Sequence, residues 1–312
     1  MKRILLLIVL VCLGAGDFLQ GADYAGRPGS FLRVGVTARS IAMGSAFTAV
    51  QDYGFVAYHN PAGIALLENR QFAFTYQGLS LDRKFNASSL AMRLPPTGGV
   101  GLAWIGTGVT NIDGRTTSGE HTESLETGED AFLFSFAQRI QSWLAVGINV
   151  KILLQSLPVN ADNLSGKGTG VDLGIILYPD SPWKVALMIQ DLNSAYQWNT
   201  GQIFEQGRVY KESFPTIYRL GTTYRLQDFF LSGDVGYITD HQYTLGLSFR
   251  AGAEYRYRDH YFLRAGFGNN RVALGLGLQY SLVQEQDSHL DYAFVMELPT
   301  GFAHVLTYAI SF

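Results

Sequence analysis

Alternation of apolar and polar positions is the main pattern from about residue 70 onwards. Residues 245–258 are the clearest case, because every second residue is apolar or aromatic and the positions between them carry four charges. Successive side chains of a β-strand point to opposite faces, so this spacing predicts a strand with one apolar and one polar face. Residues 143–153 and 272–282 alternate in the same way.

About fourteen such segments can be counted, and most are nine to twelve residues long. Strands of globular proteins are typically about five or six residues long, whereas a tilted crossing of a bilayer needs about nine to eleven. The segments lie near 71–79, 85–94, 99–108, 130–138, 143–154, 168–178, 184–192, 215–225, 229–237, 245–257, 260–268, 271–282, 289–298 and 302–312.

Aromatic residues gather near the ends of these segments, as expected of the girdles of a membrane barrel. Examples are Phe72, Trp104, Phe132, Trp143, Trp183, Tyr257 and Phe312. A soluble sandwich is the alternative, with the apolar faces packed against a second sheet. The lengths and the aromatic positions favour an all-β, transmembrane antiparallel β-barrel of about 14 strands.

The connections between segments differ in length, which suggests two unlike ends of the barrel. The long polar links at 111–129, 157–167 and 193–214 are predicted to be extracellular loops. Gln227-Asp228 and Asn269-Asn270 are short and are predicted to lie together on the periplasmic side.

The last segment, 302–312, alternates up to its final residue. Tyr308, Ile310 and Phe312 share one face, and an aromatic lies four residues before the terminal Phe. This segment resembles the closing strand of bacterial outer-membrane barrels. The resemblance implies that these three residues act as a barrel-assembly signal, with the barrel-assembly machinery and outer-membrane lipid as partners.

The amino-acid composition further limits the class of protein and the kinds of site it can contain. The chain has 35 Gly, 17 Tyr and 20 Phe, a profile typical of many strands and tight turns. No interior run reaches the ~20 apolar residues that a spanning helix needs. The net charge of −3 gives no indication of nucleic acid, and the single Cys12 excludes an internal disulfide or a structural zinc site.

The first residues read as a secretory signal peptide, with Lys2 and Arg3 followed by the apolar run 4–13 and then small residues. We therefore divide the chain into a signal peptide at 1–21, an N-terminal plug segment at 22–69 and a barrel at 70–312. The middle part, 22–69, is Gly-rich and lacks sustained alternation, and Asn60-Pro61 favours a turn that starts a helix.

A family resemblance rests on this middle part. The run 43–50 (MGSAFTAV), an acidic residue at Asp52 and an Asn-Pro-Ala-Gly motif together resemble the opening of PorV/PorQ-type outer-membrane barrels of the FadL superfamily. Ser45 and Thr48 are conservative departures, and His59 stands where an aromatic is more usual. The matched plug-motif residues are Met43, Gly44, Asp52, Asn60, Pro61, Ala62 and Gly63.

Charged residues on the polar faces must point into the lumen, because a charge facing lipid costs a few kcal/mol near the midplane. We expect these charges to pair across the lumen and hold the plug, rather than to line a substrate path. The predicted lumenal charges are Lys151, Asp172, Arg219, Arg225, Asp234, Arg250, Glu254, Arg256, Arg264, Asp291 and Glu297.

The chain shows no sign of catalysis. Its six histidines have no metal-ligand spacing, and there is neither a Gly-x-Ser-x-Gly elbow nor a phosphate-binding loop. We predict a non-enzymatic protein with no catalytic residues, no cofactor and no bound metal.

Two functions remain open. The PorV/PorQ resemblance implies a component of a type IX secretion system, a barrel in the outer membrane of a Gram-negative bacterium that binds or shuttles secreted cargo proteins and contacts other secretion subunits. It implies a blocked lumen. The wider FadL resemblance implies a channel for hydrophobic small molecules, with an apolar pocket under the loops and a gap or kink in the wall. The first function is favoured, because lumenal charge is unfavourable for a hydrophobic ligand.

Overall fold

The computed structural model describes residues 26–51, 53–159, 162–203, 205–281, 286–297 and 301–312. The predicted signal peptide at 1–21 and the motif residue Asp52 lie outside this part of the chain. None of the helices among the described residues is long and apolar enough to cross a membrane.

Fifteen strands form one antiparallel sheet in the described residues. They are β1 (Gln71–Gly78), β2 (Arg83–Leu94), β3 (Gly98–Arg115), β4 (His121–Gln141), β5 (Leu144–Val159), β6 (Asp162–Leu177), β7 (Trp183–Asn199), β8 (Val209–Ser213), β9 (Thr216–Leu226), β10 (Phe229–Thr239), β11 (Thr244–Tyr257), β12 (Tyr261–Gly268), β13 (Arg271–Tyr280), β14 (Asp287–Glu297) and β15 (Gly301–Ser311).

The sheet closes into a ring of fourteen strands. Each ring strand pairs with its neighbour in the ring, β7 pairs with both β6 and β9, and β1 pairs with β15. Strand β8 pairs only with the last residues of β7, so it lies outside the ring. The predicted all-β barrel of about fourteen strands is confirmed.

The two faces of the wall have opposite character. On β13, Leu274 and Leu276 are 50% and 57% exposed, whereas Ala273, which faces the ring interior, is 3% exposed. Outward-facing apolar side chains and a buried interior are the reverse of a soluble protein's distribution and fit a barrel surrounded by lipid.

Replacement of Leu276 with Arg tests this assignment. A guanidinium facing the bilayer midplane is expected to destabilise the barrel by ~2–4 kcal/mol. The change would appear as a lower unfolding temperature of the heat-modifiable band on gels. Val209→Arg is the matched control, because Val209 is 72% exposed on β8, outside the ring. Equal behaviour of the two variants would contradict a lipid-facing β13.

The ring has two unlike ends. We call the end at which β1 finishes and β2 begins the upper end, and the end that holds Gln71 and Ser311 the lower end. Phe312 extends the β15 pairing there, because its backbone N donates to Arg70 O at 2.9 Å and its carbonyl accepts from Arg70 N at 3.1 Å. Phe312 is 44% exposed and Tyr308 and Ile310 are half-buried. Their role as an assembly signal stays a prediction.

The predicted long loops at 111–129 and 157–167 were wrong. Strands β3 and β4 continue as a hairpin to Arg115 and His121, and β5 and β6 continue to Val159 and Asp162. These extensions are polar because they project beyond the ring's apolar band, so their composition resembled that of loops. The link 193–214 contains the end of β7, a 3₁₀ turn at Thr200–Gln202 and β8.

The placement of both short turns at one end was also wrong. Strand β9 runs towards the lower end and β12 towards the upper end, so Gln227-Asp228 and Asn269-Asn270 lie at opposite ends. Turn length here reflects local geometry, since Gln227, Asn269 and Asn270 all adopt left-handed backbone conformations that suit tight hairpins.

Candidate functional site

Residues 26–69, which we call the N-terminal segment, fold as a series of short helical pieces. They are a 3₁₀ turn at Ser30–Arg33, α1 at Ala38–Ala42, α2 at Val56–His59 and a 3₁₀ turn at Pro61–Leu66. Thr37 caps α1 through a capping box with Ser40. Asn60 caps the last turn by accepting from Ala62 N at 3.1 Å, with Pro61 at its first position.

The N-terminal segment lies inside the ring and meets the wall at glycines. A Cβ on Gly266 of β12 would lie 2.1 Å from Gly44 N, and a Cβ on Gly252 of β11 would lie 2.4 Å from Met43 O. Gly44 itself has φ +64°, and a Cβ there would lie 2.3 Å from Phe267 O. Backbone therefore lies directly against backbone on this side.

The Asn-Pro-Ala-Gly motif makes the corresponding contact on the opposite side of the ring. A Cβ on Gly147 of β5 would lie 2.4 Å from Ala62 N, and one on Gly174 of β6 would lie 2.1 Å from Asn60 Oδ1. Asn60 is fully buried and donates from Nδ2 to Thr48 O at 3.0 Å and Ile175 O at 3.2 Å. Gly63 packs tightly on Val56.

Four buried charges join α1 to the wall. Arg39 Nε donates to Glu254 Oε2 at 2.8 Å, and Arg264 Nε donates to the same oxygen at 2.6 Å. Arg264 Nη1 also donates to Asp291 Oδ1 at 2.6 Å. All four side chains are 4% exposed or less, so the two guanidiniums and two carboxylates depend on one another for compensation.

Two further charged contacts hold the turn after α1. Asp234 Oδ2 accepts from Phe47 N at 3.0 Å and from both Thr48 N and Thr48 Oγ1, at 3.1 and 2.7 Å. Arg250 Nη1 donates to Ser45 O at 3.2 Å. These contacts place Asp234 and Arg250 at the interface between β10–β11 and the N-terminal segment.

A separate buried cluster lies within the wall. Lys151 donates to Asp172 Oδ1 at 2.6 Å and also to Asp191. Asp191 sits where β7 bulges, since the β6–β7 register shifts twice and both Asp191 and Asn193 adopt left-handed conformations. The wall is therefore irregular at this point, and the Lys151, Asp172 and Asp191 side chains make its inner side charged.

Eight of the eleven predicted lumenal charges are buried on the inner side: Lys151, Asp172, Arg219, Asp234, Arg250, Glu254, Arg264 and Asp291. Arg225 is exposed and Arg256 is half-buried, and both lie at the lower end, where Arg256 reaches Asp228 at 3.6 Å. Both follow the inner-facing register of their strands, since Arg225 pairs with the buried Phe230 and Arg256 lies two positions after the buried Glu254, so their assignment as lumenal charges stays a prediction. The side chain of Glu297 lies outside the described residues.

Sequence reasoning missed Arg39 and Asp191 as members of these clusters. Arg39 lies on a five-residue helix that is too short for a periodicity to indicate its direction. Asp191 lies at a bulge, where the alternation of faces breaks down. Burial, with Arg219 and Arg250 nearby, lowers the pKa of His59 to about 3, so this imidazole in α2 is neutral.

The upper part of the lumen holds an apolar cluster of buried side chains beneath the β5–β8 extensions. It includes Phe31, Leu32, Tyr58, Tyr196, Trp198 and Phe214, with Leu157 and Leu164 partly buried against it. The N-terminal segment contributes the first three of these residues, so it packs directly against the side chains of the upper wall.

A small apolar cleft lies between α1 and the upper wall of β12–β15. Its cavity volume is about 20 Å³, room for roughly one water molecule. Ile41, Ala273, Val295, Ala303 and Val305 line it, and Gln77, Asn269 and Arg271 lie at its polar side. Within the described residues, no group of three or more His, Cys, Asp or Glu side chains is arranged to hold a metal ion.

Comparisons with known proteins give structural matches only. No protein-family model matches the chain, and no curated protein matches it by sequence. The structural matches described next are well below 25% sequence identity, so they show the fold alone.

Three solved structures illustrate the likeness. A deletion mutant of the monoaromatic hydrocarbon channel TodX has a TM-score of 0.62 at 13% identity, covering 89% of this chain and 98% of that one. The toluene transporter TbuX of Ralstonia pickettii has a TM-score of 0.56 at 14% identity, covering 89% of this chain and 97% of that one. A FadL homologue of Pseudomonas aeruginosa has a TM-score of 0.57 at 12% identity, covering 88% of this chain and 97% of that one. The chain thus has the fold of FadL-like outer-membrane β-barrels.

Proposed function

We propose that this protein is a non-enzymatic FadL-like channel that admits hydrophobic small molecules across the outer membrane of a Gram-negative bacterium. In this proposal residues 22–69 form a plug that closes the lumen to water and ions. The observation that carries it is the fourteen-strand barrel with its N-terminal segment inside, a fold shared with proteins described as monoaromatic hydrocarbon and toluene channels.

Lumenal charge does not oppose this function. The buried charges of the α1 cluster pair with one another at 2.6–2.8 Å, and Lys151, on the inner side of the wall, pairs with Asp172 and Asp191. Apolar surface is segregated from them, in the upper cluster around Tyr196 and in the cleft beside α1. An uncharged molecule could therefore contact apolar side chains without displacing an ion pair.

Uptake by whole cells tests the proposal. The barrel is expressed in a Gram-negative host that lacks its own hydrocarbon channel, and entry of radiolabelled toluene is followed at micromolar concentrations. We expect faster uptake than in cells carrying the empty vector, with the heat-modifiable band showing that folded barrel is present. Uptake at the vector rate, despite folded barrel, would exclude the channel.

The PorV/PorQ-type secretion role has no support from the comparisons and is the less favoured function. A filled lumen fits it equally well, since it requires only a surface that binds cargo. Affinity purification from detergent-solubilised membranes separates the two functions. Recovery of secreted proteins that share one C-terminal domain, or of secretion subunits, would favour secretion over the channel.

A further inference from the structure

The upper wall changes height between β8 and β10. Strand β8 continues the line of β9 beyond the ring, separated from it by Phe214 and Pro215, and both strands pair with β7 on the side opposite β6. Strand β10 ends at Thr239, which pairs with Thr216, the first residue of β9. Among the described residues, no strand pairs with the edge of β8 that faces away from β7.

The hydrogen bonds between β7 and β8 show which backbone groups point towards that edge. Phe214 N donates to Ser194 O at 2.8 Å and Thr200 N donates to Arg208 O at 3.1 Å, at the two ends of this ladder. In an antiparallel pair, residues that exchange such bonds alternate with residues whose N–H and C=O groups point the other way. The even-numbered residues of β8 therefore face β7, and the odd-numbered residues direct their backbone groups away from it.

We call Val209, Lys211 and Ser213, the odd-numbered residues of β8, the open edge. All three are exposed, Val209 by 72%, and the neighbouring Tyr210 is 62% exposed. An exposed row of outward N–H and C=O groups is a template on which an extended chain can add a further strand. The height difference leaves room for such a strand above the end of β10.

We propose that the open edge is the docking site for an extended segment of a different protein, which adds to β8 as an antiparallel strand. The inference is independent of the channel function. The backbone ladder supplies affinity, and the side chains supply specificity. Lys211 lies at the centre of the edge and favours an acidic residue opposite it, while Val209 and Tyr210 favour apolar neighbours.

A second copy of this chain does not fit the open edge. Two copies in one membrane have the same orientation, so their β8 strands run in the same direction and cannot form an antiparallel ladder with each other. An antiparallel pair of β8 strands centred on Lys211 would also place two ammonium groups opposite each other, which is unfavourable. The occupant is therefore a different protein.

Hydrogen exchange of individual backbone amides tests the open edge in the purified barrel. We expect the amides of Val209, Lys211 and Ser213 to exchange at least tenfold faster than those of Tyr210 and Glu212, which face β7. This alternation would show that β8 is folded and that its outer ladder positions are available.

The chain's own residues before Gly26 are the rival occupant. Arg27 Nη1 lies 3.3 Å from Asp240 Oδ2, in the turn that follows β10, so the N-terminal segment passes near the foot of the open edge. Uniformly slow exchange along β8 in the purified protein would assign the edge to that segment and overturn the proposal.

Binding of a designed strand tests the docking itself. The probe is a fluorescein-labelled peptide of alternating Thr and Val with one central Glu, titrated into the detergent-solubilised barrel and followed by fluorescence anisotropy. Lys211→Pro removes an outward N–H and leaves the bonds to β7 in place, so we expect it to weaken binding at least tenfold. Lys211→Ala keeps the N–H and is the matched control, with an expected loss of at most threefold.

A charge exchange checks the register independently of proline. Lys211→Glu should bind the peptide with a central Lys more tightly than the peptide with a central Glu, the reverse of the wild-type preference. The heat-modifiable band shows that each variant is folded. Equal binding by Lys211→Pro and Lys211→Ala, or no binding by the wild-type protein up to about 1 mM peptide, would overturn the docking site.

Discussion

Replacement of Glu254 with glutamine is expected to release α1 from the wall. Glu254 Oε2 accepts from both Arg39 and Arg264, so the neutral amide leaves two buried guanidiniums with one carboxylate, Asp291, between them. Breaking a buried pair by removal of one partner costs roughly 3–5 kcal/mol. The population with α1 unseated should therefore rise by about two to four orders of magnitude.

Trypsin measures this change, because Arg39 is 3% exposed in the folded protein and inaccessible to the protease. We expect cleavage after Arg39 in Glu254→Gln under conditions in which the wild-type protein stays intact, identified by mass spectrometry of the fragments. Asp259→Asn is the matched control, since Asp259 pairs with Arg256 at 3.5 Å at the lower end and is 79% exposed. Such exposed ion pairs contribute little to the stability of the folded protein. Resistance of Glu254→Gln equal to that of the control would contradict the role of the cluster.

Replacement of Gly44 with alanine is expected to have the second large effect. The new Cβ would lie 2.3 Å from Phe267 O and 2.7 Å from Ala251 O, both backbone atoms of the wall. The residue also keeps φ +64°, which costs an alanine roughly 1–2 kcal/mol. Because the wall backbone cannot yield without breaking its ladder, the N-terminal segment must shift, which should open the lumen to ions.

Conductance in a planar bilayer reports the shift. We expect frequent openings for Gly44→Ala. Gly119→Ala provides the control, because Gly119 has φ +86° in the β3–β4 hairpin but nothing within 4 Å of the added Cβ. It isolates the backbone strain from the collision. Silent recordings for both variants would show that the contact at Gly44 does not close the lumen.

Much of the barrel could be predicted from alternation because lipid outside and a filled lumen inside impose opposite demands on successive residues. Alternation failed as a guide where the strands extend beyond the membrane. The polar tips of β3–β6 alternate weakly, so they were interpreted as loops although their backbones continue the ladder. It also failed at the β7 bulge, where Asp191 takes an inner position that a period of two does not give.

The contacts within the lumen were less predictable. Glu254 and Arg264 could be assigned to the inner face, but their shared partner Arg39 comes from a helix more than two hundred positions away in sequence. The Asn-Pro-Ala-Gly motif indicated a special segment without indicating which strands it contacts. The cleft beside α1 is lined by residues from well-separated parts of the chain, and only their convergence in three dimensions creates it.

The central claim is that the barrel's own N-terminal segment closes it to water and ions. The most direct measurement is the conductance of the purified wild-type protein in a planar bilayer. We expect insertion without steady ion current, with current appearing in Glu254→Gln and Gly44→Ala. A steady open-pore current through the wild-type protein, unchanged in both variants, would contradict it.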